Sequence, residues 1–138
     1  MLLAAMLLAT SCYSWNYRRE MAASVALISD LSDKLMDYCR SDFVVDGRPT
    51  SSEEMGEFYY GLKKARAFQQ MSSKRHGSDA ASMAFDKMID AYEKFVRDAD
   101  QYRVRQKHDQ GQLDLLVEDR AFVRARLDDL NRALKAET

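Results

Sequence analysis

The residues of this chain that could carry chemistry are its cysteines, histidines, methionines and paired carboxylates, and their spacing argues against most of it. The cysteines are Cys12 and Cys39, and the histidines are His76 and His108. A zinc site wants paired ligands at short spacing, and covalent haem attachment needs Cys-x-x-Cys-His. Neither pattern occurs. Di-metal sites in helical bundles place Glu three residues before His, where this chain has Ser73 and Arg105. Both histidines are therefore expected as solvated turn residues, and Cys39 as a buried small hydrophobe. Beyond the first residues the methionines are Met21, Met36, Met55, Met71, Met83 and Met88. Thioethers suit Cu(I), but these are scattered without Met-x-x-Met spacing and read as core filling. Asp128 and Asp129 are adjacent, so on a helix they diverge and cannot act as an acid–base couple. There is no Gly-rich phosphate loop and no Gly-x-Ser-x-Gly elbow. No catalysis, metal or cofactor is expected.

Charge gives no stronger lead. The formal net charge is -1, from 21 basic and 22 acidic residues, so nothing draws the whole molecule to nucleic acid. Arg103, Arg105 and Lys107 form a basic run, but Asp98, Asp100 and Asp109 lie beside it and make a mixed solvated face. Two apolar runs are better candidates for contact with a partner. Phe58, Tyr59 and Tyr60 are too wide for one core stripe, so at least one ring is expected to face outward. Phe43, Val44 and Val45 sit in a connecting segment, able to plug the end of the fold or to dock a partner.

The elements that must position these residues are helical. The chain has 138 residues, enough for one domain, and only 5 Gly and 1 Pro, fewer than sheets and long loops usually need. Apolar residues recur every three or four positions, which places them on one helix face. The first stretch carries Tyr17, Met21, Ile28, Leu31, Leu35 and Tyr38, with Ser24 filling one slot. The second carries Met55, Phe58, Leu62, Ala65 and Phe68, behind a capping box of Ser51 and Glu54. Gly77 and Ser78 are expected to end it and cap the next. The third carries Phe85, Met88, Tyr92, Phe95, Ala99 and Tyr102, with Asp90–Lys94 and Glu93–Arg97 as i,i+4 pairs. The fourth carries Leu113, Leu116, Val123, Leu127, Leu130 and Leu134, and Arg120 interrupts its apolar face. The spacing predicts an all-α, up-down four-helix bundle. Its rival is a helical hairpin plus one long helix, three-helix and coiled-coil-like, because Gly111 costs only about 1 kcal/mol inside a helix.

The first dozen residues read as an address. Residues 1–9 are almost wholly apolar, too short a run to cross a bilayer but suited to the core of a secretory signal. Small residues and a cysteine follow, in Leu8-Ala9-Thr10-Ser11-Cys12. Here the chain resembles the signal peptides of bacterial lipoproteins, over these residues alone. No Lys or Arg precedes the apolar run, and Ala9 stands where that class usually has Leu. The resemblance implies cleavage before Cys12 and lipid on that cysteine, and Tyr13 after it implies transfer to the outer membrane, facing the periplasm. Simple secretory cleavage after Ser11 and an uncleaved helix are the alternatives. The organisation expected is a signal peptide at 1–11, a short membrane-proximal tether at 12–16 and a helical domain at 17–138. Tyr13, Trp15 and Tyr17 suit the water–lipid boundary and Arg18 and Arg19 suit head-group phosphates, although Trp15 and Tyr17 could equally pack on the bundle end.

Taken together, these readings point to an exported, membrane-anchored lipoprotein acting on an envelope protein partner or by self-association. The alternative is a helical bundle holding a small ligand, a metal or an unfolded client. A polar break in an apolar face, at Ser24 or Arg120, would be the trace of such a site.

Overall fold

The computed structural model describes the backbone of residues 2–76 and 79–136 and the side chains of residues 16–71 and 79–136. The helices are α1 (Leu2–Arg40), α2 (Ser52–His76), α3 (Ala80–Val104) and α4 (Gln110–Ala136). A two-strand antiparallel hairpin, β1 (Val44–Val45) and β2 (Arg48–Pro49), joins α1 to α2. The chain is 85% helical and forms a helical bundle. Ring contacts show that α1, α2 and α3 run antiparallel in turn. At one end Tyr17 of α1 stacks on Phe68 of α2 at 5.8 Å, and Phe68 meets Phe85 of α3 at 5.3 Å. At the other, Tyr38 of α1 meets Phe58 of α2 at 5.5 Å, and Phe43 meets Tyr102 of α3 at 6.1 Å. The repeats become core: Met21, Ile28, Leu31 and Leu35 are buried on α1, Met55, Phe58 and Ala65 on α2, and Leu116, Val123, Leu127 and Leu130 on α4.

Helix α3 lies at the centre. Phe85, Met88, Tyr92, Phe95, Ala99 and Tyr102 are all buried, and α3 packs on each of the other three helices. Helices α1 and α3 meet across the short diagonal of the bundle, whereas α2 and α4 occupy its far corners. Two features hold α2 close. The buried Tyr92 hydroxyl donates to the Phe58 carbonyl at 2.9 Å, and a side chain at Gly61 would collide with Leu31 Cδ1. Arg66 of α2 pairs with Asp90 at 3.1 Å and with Glu93 on α3. Of the two expected helical pairs, Glu93–Arg97 forms at 2.7 Å. Asp90 turns instead to Arg66, and Lys94 goes to Asp98 and Asp119.

The helix ends follow local chemistry. At the start of α2 the expected capping box is present: Glu54 N–H donates to Ser51 Oγ at 3.2 Å, and Ser51 N–H to Glu54 Oε1 at 3.5 Å. The cap of α3 is Asp79, whose carboxylate accepts from Ser82 N–H at 2.7 Å. The cap therefore falls one residue after the expected Ser78, and the expected turn at Gly77 lies outside the described residues. Helices α3 and α4 are separate, and the reason is not Gly111. Arg105 is extended, and Asp109 with Gln112 forms a second capping box, at 2.8 and 3.2 Å. The two acceptors satisfy donors that a continuing helix would have occupied.

The α1–α2 connection is more ordered than the plain crossing loop the sequence suggests. Asp46 and Gly47 both have positive φ, 52° and 75°, the two-residue turn that closes a tight hairpin. Before it, α1 ends in a Schellman motif: Phe43 N–H reaches Tyr38 O at 2.8 Å and Asp42 N–H reaches Cys39 O at 3.1 Å. Asp42 and Phe43 are left-handed, at φ 55° and 57°, a conformation that costs about 1–2 kcal/mol per residue. The Phe43 ring, buried edge-on to Tyr38 at 6.3 Å, offsets much of that combined cost, since burying such a ring is worth about 1.5–3 kcal/mol.

Candidate functional site

The Tyr17 end of the bundle is built on α1, whose backbone is helical from Leu2 through the expected leader and tether into the core. The side chains of Cys12, Tyr13 and Trp15 lie outside the described residues. Tyr17, expected at the lipid boundary, belongs to the core instead: it is buried, stacks on Phe68, and shares a hydrogen bond with Ser82 Oγ. The ring closes the gap between α1, α2 and α3, which a partly solvated position could not do. Arg18 is half-buried and Arg19 is exposed.

The two apolar runs split between core and surface. Phe58 and Phe43 are buried, so neither offers a face to a partner while the bundle is intact. This corrects both as contact residues, because each ring packs against Tyr38 inside the core, and Phe43 against Tyr102 as well. Tyr60 is 62% exposed, with the Lys64 ammonium 5.7 Å from its ring centre. Tyr59 is partly exposed and donates to Asp100 at 2.7 Å. Burial and the Asp100 charge push its phenol up to about 12. Val44 is 45% exposed and Val45 is half-buried.

A carboxyl pair is the titratable feature that sequence reasoning missed. Asp98 on α3 and Asp119 on α4 flank the Lys94 ammonium, which donates to them at 2.6 and 3.0 Å. The Asp119 side chain is only 10% exposed, and its Oδ2 meets no donor. Burial, together with the Asp98 carboxyl, pushes Asp119 up to about 6. Burial also opposes ionisation of Asp98, but its bonds to Asp119 and Lys94 outweigh that and hold it below the usual range. The pair thus gives up its protons in two separated steps.

The polar breaks fall on two hollows. Ser24 lines an open groove of about 330 Å³ between α1 and α2, with Leu27, Lys64 and Phe68. Arg120 lines a smaller cavity of about 130 Å³ between α1 and α4, with Ser32, Arg124 and Asn131. Arg120 is paired with Asp33, yet its Nε has no acceptor, and the buried Ser32 Oγ has no partner either. Burial and the neighbouring Arg124 charge hold the Arg120 guanidinium below its ordinary value.

The remaining candidates are structural. His108 is not a solvated cap: its ring is half-buried, stacks on Tyr102 at 3.9 Å and bonds the Tyr102 carbonyl, with Asp42 3.4 Å away. The side chain of His76 lies outside the described residues. Cys39 is a buried free thiol, pushed by burial up to about 12. Among the described residues no group of three or more His, Cys, Asp or Glu side chains could hold a metal ion, and no helix is long and apolar enough to cross a membrane. Comparison with known proteins returns nothing: no family model, no curated protein and no solved structure matches this chain.

Proposed function

We propose that this chain is an exported helical module, held at a bacterial membrane by lipid on Cys12, that acts by contact with an envelope protein rather than by catalysis. The observation that supports the reading is that α1 runs without a break from Cys12 through Tyr17 to Arg40. Cys12 precedes Tyr17, the first buried residue among the described side chains, by five positions, about 8 Å at the helical rise. An acyl chain at Cys12 would therefore hold the Tyr17 end of the bundle against the lipid surface, without a flexible linker. The far end, with the β1–β2 hairpin and the start of α2, would then project into the compartment, and with it Val44 and the exposed ring of Tyr60.

Mass spectrometry of the membrane-extracted protein tests the tether. The expected result is a chain beginning at Cys12 and carrying acyl groups, with Cys12→Ala released from the membrane fraction. An unprocessed chain, or a Cys12→Ala protein that stays membrane-bound, overturns it. For the contact, a photo-crosslinking residue placed at Tyr60 should give one discrete adduct in intact cells, while the same residue at Arg124 should not. No adduct at either position overturns the contact reading.

A further inference from the structure

We propose that His108 is a proton-operated latch: its charged ring fastens the α3–α4 connector to the end of α1, and its neutral ring lets the connector lift off Tyr102. The inference stands on the geometry of the hairpin end of the bundle and is independent of the tether.

Three elements meet at this ring. The connector between α3 and α4 runs from Arg105 to Asp109. Arg105, Gln106, Lys107 and Asp109 are exposed, and only His108 turns inward. Its Nε2 bonds the Tyr102 carbonyl at the end of α3. A carbonyl oxygen only accepts, so Nε2 carries a proton whether the ring is charged or neutral. The neutral ring has a single N–H, which is committed there, and its Nδ1 is then a bare lone pair. That lone pair would face Asp42 Oδ1, 3.4 Å away beyond the end of α1. Two acceptors turned toward each other repel. A proton on Nδ1 replaces the repulsion with an ion pair. It also places a cation against the Tyr102 ring, on which the imidazole stacks at 3.9 Å.

The neighbouring groups act in the same sense. Asp42 Oδ1 is held in place by the Tyr102 hydroxyl, which donates to it at 2.6 Å. Cys39 on α1 and Asp109 in the connector are the other titratable groups that act on Tyr102. Cys39 is a neutral thiol. The two carboxylates attract a charged imidazole and have no such pull on a neutral one. Opening has a defined consequence. Tyr102 is only 3% exposed, with the imidazole stacked on it and the Phe43 ring 6.1 Å away. Lifting the imidazole bares an aromatic surface beside the hairpin.

Nuclear magnetic resonance of the full chain from about pH 5 to 8, the range in which histidine changes charge, tests the latch. Nitrogen shifts should show the neutral His108 ring as the Nε2–H tautomer. The amides of Asp42, Phe43, Tyr102 and residues 105–109 should follow the ring with one common midpoint. The Arg105 amide bonds the same Tyr102 carbonyl. Its exchange with water, corrected for intrinsic rate, should be about fivefold faster above the midpoint than below, as for a partly exposed ion pair. Asp42→Asn keeps an acceptor for Tyr102 and tolerates the left-handed backbone, so it should fold as the parent does and lose most of this pH dependence. His108→Gln should lose all of it. Asp119→Asn should leave it unchanged, which separates the latch from the carboxyl pair. A neutral ring in the Nδ1–H form, an Arg105 amide indifferent to the titration, or parental pH dependence in Asp42→Asn would each overturn the latch.

Discussion

Replacing Asp119 by Asn should stabilise the protein at pH 8 and leave it almost unchanged near pH 4. Asp119 sits on α4 with its side chain nearly enclosed, against Asp98 and with an Oδ2 that meets no donor. Its folded value is about 6, against 3.8 for a free aspartate. The folded state thus holds a proton that the unfolded state releases, and stability falls as pH rises from about 4 to about 6. A shift of two pH units corresponds to about 3 kcal/mol. Part of that is screened, because Lys94 and solvent reach the carboxyl's outer edge, which leaves about 1–2 kcal/mol. Asn keeps the shape and removes the charge. Its loss of the Lys94 pairing matters little, since that ammonium is mostly exposed and also bonded to Asp98. Urea unfolding of both proteins at pH 4, 6 and 8 measures the difference. The gain from Asn should open between pH 4 and 6 and stay constant above. A variant no more stable than the parent at pH 8, or a gain independent of pH, would refute the reasoning.

Three further outcomes can be checked by simpler means. Tyr92→Phe removes the buried bond to the Phe58 carbonyl and should lower stability by about 1 kcal/mol in denaturant unfolding, with the fold intact by circular dichroism. Gly61→Ala would gain about 1 kcal/mol of helix propensity, but the new methyl must displace Leu31 in a packed core, at about 1–3 kcal/mol. The variant should therefore melt at or below the parent's temperature, against the usual trend for helical glycine. Cys39, enclosed and with its thiol pushed up to about 12, should resist Ellman's reagent in the native protein at pH 8 and react at once in urea.

Much of the fold was legible because helix packing writes a local pattern. Phe85, Met88, Tyr92, Phe95, Ala99 and Tyr102 recur on one face and are all buried, and Ser51 with Glu54 marks a start that the backbone obeys. Two more local signals lie in the sequence: Asp46-Gly47, the tight-turn dipeptide, and Asp109 with Gln112, a capping box in the same three-residue register as Ser51 and Glu54. The pairings across helices were not legible. Arg120 stands out in a list of leucines, but nothing local says that Ser32, on another helix, lies opposite it. Asp98 and Asp119 are likewise ordinary surface residues until two antiparallel helices bring them to one ammonium. Tyr17 and Phe58 were ambiguous for a related reason: an amphipathic ring reads alike whether it faces lipid, a partner or a neighbouring helix.

The uneven packing of the bundle sets how disturbances spread through it. Helices α3 and α4 pack most closely, α1 lies against both, and α2 is held most lightly, so the first three form a spine and α2 a flank. That flank can loosen while the spine keeps its register, so local opening of α2 need not reach the hollow beside α4. A pull on the N-terminus, by contrast, loads the spine directly and would be felt by every helix at once.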